Sequence, residues 1–314
     1  MKNKAEEKKN KAGKLLKGIF EARYLYLMVL PAVAFYLIFA YWPMYGIQIA
    51  FKDYYPKQGI MGSPWNGFDN FKFIFGRPEF FRALRNTVMI SAAQMALGFL
   101  CTITLALLIN ELRMKKYKRV AQTILTFPNF LTWVIIAGFV QNLFSNGGFI
   151  NNLIQELSGK RIDFMAKPGF FLVLLFVTEI WKSTGWGSIV YLAAMSGIDQ
   201  EMYEAAYLDG AGRIRCMFKI TLPSIKPTII LLLILSAGGI LGGNFDQIFN
   251  LYNPMVYEYA DILDTYIFRL TFGTAAMANP GVPAAVGLFK SVVGCILVLS
   301  VDRIAKLCGE RGII

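Results

Sequence analysis

The sequence contains no histidine at all. That absence excludes imidazole metal sites, histidine general bases and Ser-His-Asp triads. Cysteine is scarce too: Cys101, Cys216, Cys295 and Cys308 stand alone, none at metal-site spacing, and three lie in or beside apolar segments. They read as small apolar residues, not as a disulfide framework or a zinc site. Charge is thin, at 17% of 314 residues, where soluble domains run near about a quarter. There is no G-x-x-x-x-G-K-[S/T] phosphate loop, so the chain cannot hydrolyse ATP by that chemistry. The stretch Gly238-Gly239-Ile240-Leu241-Gly242-Gly243 is glycine-rich but lacks the lysine, and helix flexibility or close packing explains it better.

What is abundant is apolar surface, with 56% hydrophobic and 15% aromatic residues. The net charge of +12 would suit a nucleic-acid binder. Its distribution does not, because the basic residues fall in short runs between long apolar stretches, as at the cytoplasmic ends of membrane helices. Membrane lipid, not nucleic acid, is the expected surroundings.

A helix needs about 20 mostly apolar residues to cross a hydrocarbon core of about 30 Å. Six stretches qualify: Tyr24–Phe51, Thr87–Asn110, Val120–Phe144, Phe170–Met195, Ile225–Leu241 and Ala284–Val301. The fifth is the weakest, since its outer end carries the glycines named above. Ala32-Val33-Ala34 resembles a signal-peptidase site, but the apolar run continues to Phe51 and is read as a retained first span. The expected fold is therefore all-α and polytopic, with a basic tail over 1–23 and a single membrane domain over 24–314. The stretch Asn70–Phe81 reads as an amphipathic helix at the interface.

Lysine and arginine in the connections set the direction. The tail to Arg23 carries eight, the connection from Arg113 to Arg119 five, the segment from Arg213 to Lys226 four, and the stretch after the last span three. These twenty fall on one side. Lys52, Lys57, Lys72, Arg77, Lys160, Arg161, Lys167 and Arg269 give eight on the other. Both termini are thus expected in the cytoplasm.

The connection between the fourth and fifth spans is the most informative segment. Asp199 is a plausible N-cap, the following residues favour helix, and Gly210 and Gly212 stop it. Tyr203, Ala206, Tyr207 and Gly210 share one face of such a helix. Small residues permit close approach of another protein's backbone, and Tyr203 and Tyr207 offer rigid anchors. Pro223 and Pro227 then return the chain to the membrane.

The pattern E-A-A, three residues, G, nine residues, I-x-L-P is met at Glu204, Ala205, Ala206, Gly210, Ile220, Leu222 and Pro223 with both spacings intact. It resembles the cytoplasmic signature of permease subunits of binding-protein-dependent ABC importers. Leu30-Pro31-Ala32, Tyr41-Trp42-Pro43, Asn86-Thr87 and Asp209-Gly210-Ala211 resemble the carbohydrate branch. Trp181-Lys182-x-x-Gly185-Trp186 and Phe245-Asp246-Gln247 look like the oligosaccharide subset. The likeness covers nearly the whole chain past Tyr24.

That resemblance implies a transport subunit and not an enzyme. Two permeases, here expected to be different chains, would form the pathway. Two ATPase subunits would sit beneath them and bind the ATP and Mg, so this chain itself would hold no cofactor. An external binding protein would deliver the sugar. By the same likeness Tyr203, Glu204, Ala205, Ala206, Asp209, Gly210, Ile220, Leu222 and Pro223 would couple the permease to the ATPases.

The pathway candidates come from polar groups inside the spans, where charge is costly. Glu179 and Lys182, at i, i+3 spacing, could line the pathway or form a structural pair. Trp181 or Trp186 could stack on a sugar ring, and Asn244, Asp246 and Gln247 could face the pathway or the binding protein. Lys290, Gln94 and Gln141 are weaker candidates. A non-sugar solute, a membrane-embedded enzyme, an ion channel or a self-contained transporter are the competing readings.

Overall fold

The computed structural model describes residues 22–112, 114–273 and 279–307. Nearly all of the basic tail, Arg113, Cys308 and Arg311 lie outside them. The described chain is all-α, its single β feature an isolated bridge between Lys52 and Trp65.

The first span, α1, runs Arg23–Phe51 without a break, passing through π geometry at Leu37–Tyr41 and 3-10 geometry at Trp42–Phe51. Its C-terminal end packs on the body, chiefly against the last helix. A short helix α2 (Asp69–Phe75) ends at Gly76, and α3 (Pro78–Asn110) follows. The interfacial helix expected over Asn70–Phe81 is thus split. Arg77 precedes a proline and is driven to extended backbone, φ −101° and ψ 119°, which no helix can pass through.

The third expected span is also broken. Lys115–Thr126 forms α4, a 3-10 turn occupies Phe127–Phe130, and Trp133–Phe144 forms α5, followed by α6 (Phe149–Ser158). Pro128 has no N–H to continue the ladder, and Leu131 and Thr132 are extended before Thr132 caps α5. Lys182 of α7 (Pro168–Ser196) mends the gap by donating to the freed carbonyls of Asn129 at 2.7 Å and Leu131 at 2.6 Å. Replacing Lys182 with methionine is expected to cost about 1.5–3 kcal/mol, since two half-buried carbonyls lose a charged donor. A fall in thermal stability of the purified protein checks it, and an unchanged melting point would refute it.

Past the loop that follows α7, α10 (Lys226–Ala237) holds only 12 residues. The expected fifth span, Ile225–Leu241, ends in a 3-10 turn at Ile240–Gly242, and the short α11 (Phe245–Leu251) follows beyond it. The short helices α12 (Tyr257–Ala260) and α13 (Leu263–Phe272) lead to α14 (Gly281–Leu307). Among the described residues, four helices are long and apolar enough to cross a membrane: α1, α3, α14 and the stretch Trp133–Ser158. A fifth is reached if Arg213–Ser224 and Lys226–Ala237, bent by 56°, count as one span. Helix α7, with 29 residues, has the length but carries Glu179 and Lys182 at its centre.

Helix α7 packs along α3, and polar fasteners do much of the joining. Asn86 donates to the carbonyls of Glu258 and Asp261, and Thr87 Oγ1 accepts from the Leu263 amide at 2.8 Å, clamping the α12–α13 turn onto α3. Glycine allows the closest contacts. A Cβ on Gly185 would lie 1.8 Å from the Leu125 carbonyl oxygen, and one on Gly238 would lie 2.6 Å from Val298. Without a hydrophobic force between helices in lipid, such close approach and polar bonding hold a bundle together.

Candidate coupling loop and polar cavity

Helix α8 (Gln200–Leu208) begins where Asp199 accepts a bond from the Glu201 amide at 3.0 Å. It ends with Gly210 at φ +76°, the Gly210 amide bonding Tyr207 and the Ala211 amide bonding Ala206. Those two bonds are a Schellman end, and its left-handed residue is a glycine because a Cβ is disfavoured there. The chain then turns through α9 (Arg213–Cys216) and a π turn at Met217–Thr221 back to α10.

The loop residues divide into two groups. Tyr203 is half-buried and its hydroxyl bonds Thr221 at 2.8 Å, while Leu222 packs with Ile225 and Ile220 is partly buried. These tie α8 to its own membrane helix. Glu204, Ala205, Tyr207, Asp209, Gly210 and Pro223 are exposed, and Ala206 is half-buried. Met202, Leu208, Ile214 and Phe218 fall outside the signature yet add exposed apolar surface, Leu208 being 90% accessible. Their signal in the sequence is a set of large apolar side chains in an otherwise charged loop. A small cavity of about 190 Å³ opens between α8 and α9, bordered by Ala206, Asp209, Arg215 and Lys219.

A second cavity, of about 490 Å³, lies among α3, α7 and the broken fifth span. Glu179, Ser183, Gly187 and Tyr191 of α7 line it together with Ser91, Gln94 and Thr102 of α3. Ser236 near the end of α10 and Gly239, Gly243 and Asn244 of the unwound backbone beyond it complete the lining. Non-helical backbone at membrane depth is tolerated where it lines such a cavity. Gly243, at φ +52°, also leaves room for the Ile262 side chain, which a Cβ at that position would meet at 2.6 Å.

The pathway candidates scatter around this cavity. Glu179 and Asn244 line it. Gln247 is fully buried beside it, donating to the Leu175 carbonyl at 2.7 Å and to Thr178 at 2.9 Å while accepting from Gln94 at 2.9 Å. Asn244 reaches Gln94 at 3.4 Å, so three amides link α3, α7 and α11. The Lys182 ammonium serves the α4–α5 break and also lies 5.7 Å from the Trp133 ring centre. Trp186, half-exposed, shares the helical stripe of Glu179 and Ser183 and meets Phe130 edge to face. Trp181 is half-exposed on the opposite side of α7, and Asp246 is exposed. Lys290 pairs with Asp264, joining α14 to α13, and Gln141 is exposed.

Residues 94–308 match the family of binding-protein-dependent transport system inner membrane components. The chain belongs to this family. It is thus a transport subunit, not an enzyme, and a multi-pass protein of the cytoplasmic membrane. Protein LplB of Bacillus subtilis is 44% identical over 292 residues, covering 93% of this chain and 91% of the relative. The polygalacturonan/rhamnogalacturonan transport system permease protein YteP of the same organism is 42% identical over 307 residues, covering 98% and 95%. Among solved structures, a bacterial ABC transporter involved in the import of the acidic polysaccharide alginate superposes with a TM-score of 0.84 at 39% identity, covering 93% of this chain and 98% of that one. The alginate transporter solved in complex with an alginate pentasaccharide-bound periplasmic protein gives 0.85 at 38% identity, with coverage of 96% and 100%.

Proposed function

We propose that this permease forms one half of the membrane pathway of an importer for a sugar, most concretely an oligosaccharide. The observation that carries the reading is the intact signature from Glu204 to Pro223, which opens on a preformed helix with Glu204, Ala205 and Tyr207 exposed on it and Asp209 exposed just past its end. Relatives named for galacturonan, lactose and alginate transport support the cargo class. In this reading the domain over 24–314 crosses the membrane six times, with both termini and α8 in the cytoplasm and the basic tail before it. A second permease of different sequence completes the pathway. Two ATPase subunits, holding ATP and Mg, dock on α8 and power the switch between inward- and outward-open arrangements. A periplasmic-type binding protein delivers the saccharide.

The cavity supplies the chemistry a sugar needs: hydroxyls of Ser91, Thr102, Ser183 and Tyr191, the amides of Gln94 and Asn244, and the carboxyl group of Glu179. Ser91 Oγ is buried with no partner among the described residues, a hydrogen-bonding group left for a ligand. Trp186, Trp181, Lys182, Asp246 and Gln247 belong to the proposed pathway set as its flank and its fasteners. Glu179→Ala is expected to lower saccharide uptake in the reconstituted transporter at least about tenfold, because a charge-assisted bond to a hydroxyl contributes about 1.5–3 kcal/mol. Asp246→Ala, on the exposed side, is expected to leave uptake within about twofold, the range of ordinary surface substitutions. Equal uptake by wild type and Glu179→Ala would remove the cavity from the pathway.

A further inference from the structure

Six buried side-chain polar atoms have no hydrogen-bond partner among the described residues, and three of them occur together: Glu79 Oε2, Arg82 Nε and Arg269 Nε. The place is the outer end of α3, where it meets α12 and α13. Arg269 pairs with Asp261, which is 1% exposed, and the guanidinium lies 4.4 Å from the Tyr257 ring centre. Burial pushes the Asp261 carboxyl up, and Arg269 and then Arg82 among the charges oppose it. Asp261 and Arg269 therefore satisfy each other, and Arg82 is a second cation at the same carboxylate. It is half-buried, and no hydrogen bond or ion pair joins it to a described residue, Glu79 three positions earlier included. Arg85 is exposed, with a single 3.4 Å contact to Asn86, and Arg77 is exposed over the Phe73 ring. Glu79 and Glu258 are the acids nearby. Asp261 is already held by Arg269, so the half-buried Arg82 guanidinium shares that one carboxylate and has no hydrogen-bonded acid of its own, and buried charge is stable only when paired.

What supplies the missing anion follows from position. Helix α3 has 33 residues, about 50 Å of length against a hydrocarbon core of about 30 Å. Measured from Asn110, the core is crossed by about Ser91, so Arg82 and Arg85 stand above it, beyond the acyl chains. Arg82 is about half a helical turn round from Ser91, on the side that carries Asn86 to α12 rather than the side lining the cavity. A saccharide in the cavity does not reach it.

We propose that Arg82 and Arg85 form the receiving half of a charged contact with the external binding protein, engaging aspartate or glutamate side chains on its rim. This rests on the importer reading and on the orientation given there. Arginine suits the task, since its fork binds carboxylates bidentately and stays charged. Such a contact steers encounter, fixes register and weakens with salt.

The test uses the complete transporter in nanodiscs with its own saccharide-loaded binding protein. Docking and stimulation of ATP hydrolysis are measured across a salt series. Arg82→Gln and Arg85→Gln are each expected to weaken docking about tenfold and to flatten its salt dependence, with the ATPase rate at saturating binding protein unchanged. Arg82→Lys should retain part of the affinity. Arg85→Glu should be rescued by an acid-to-lysine change on the binding protein's rim. Docking and salt slope equal to wild type in both glutamine variants would overturn the proposal. So would weakened docking accompanied by loss of the second permease on purification, or an effect set by anionic lipid content and not by the rim acids. Failure of the wild-type transporter to respond to any binding protein would instead sink the importer reading.

Discussion

Gly210→Val is expected to reduce ATP-driven uptake to background while leaving membrane insertion intact. The residue sits at φ +76°, closing α8 through the bonds of the Gly210 and Ala211 amides to Tyr207 and Ala206. A Cβ there would touch nothing within 4 Å, so the effect is not a clash. It is conformational: the left-handed region costs a β-branched residue about 1–2 kcal/mol or more, and the chain escapes by rotating the link between Asp209 and Gly212. That rotation moves α9 relative to α8 and breaks the rigid connection between the proposed ATPase contact and α10. Rigidity matters because a coupling element transmits only what it does not absorb. Gly210→Ala should be milder, and Gly210→Asn milder still, because asparagine tolerates the left-handed region best among substituted residues. Uptake, ATPase association and the rate of substrate-stimulated hydrolysis, measured on one preparation, check it. Robust stimulated transport by Gly210→Val with normal ATPase association would contradict the coupling role.

The second large effect is structural. Gly185→Leu is expected to prevent accumulation of a folded permease, and even Gly185→Ala to lower the melting temperature sharply. At Gly185 the backbone of α7 lies directly on that of α4, with a hypothetical Cβ 1.8 Å from the Leu125 carbonyl oxygen and 2.3 Å from its carbon. Both obstructing atoms are backbone, which cannot swing aside as a side chain can. Overpacking of this kind costs typically about 1–3 kcal/mol for modest insertions and more where the obstacle is rigid. The same contact explains its neighbour, since Lys182 bridges the carbonyls released just beyond α4. A monodisperse Gly185→Leu protein with wild-type melting behaviour would show that the two helices do not meet as described. Gly187→Ala is a milder control, because a Cβ there would meet only the Thr102 side chain, its methyl nearest at 3.0 Å.

These two glycines illustrate how unevenly the sequence exposes its own logic. Gly210 stands in a spacing pattern, E-A-A then G then I-x-L-P, and turn chemistry alone assigns it a left-handed helix end. Gly185 belongs to a motif whose tryptophans suggest sugar stacking, yet the glycine and the lysine are what bind α7 to α4. Asn86-Thr87 and Gln247 follow the same course. In the sequence each is part of a family likeness or a polar group in a span, and in the structure each is a fastener between helices distant along the chain.

Arg82 and Arg85 escape a reading of the sequence for a different reason. The expected second span begins at Thr87, so both fall in the connection before it, yet the count of outer basic residues omits them, and α3 in fact begins at Pro78. Adding them raises the outer count to ten and leaves the twenty on the opposite side in the majority. Hydropathy marks where a helix becomes apolar, not where it starts, and Arg77 before Pro78 is the available signal.

Local composition and spacing account for one set of properties without any coordinates. Long apolar runs require helices in a membrane, the absence of histidine and of a phosphate loop removes whole classes of chemistry, and the spacing from Glu204 to Pro223 identifies the family and the site of α8. Which polar residues of the spans face a cavity and which face another helix emerges only once the chain has packed. Glu179 and Lys182 lie three residues apart on α7, yet one opens on the cavity and the other fills a gap in a neighbouring helix. Periodicity gives the angle of a side chain about its own axis. What stands at that angle depends on breaks such as the one at Pro128, and on where the rest of the chain has packed.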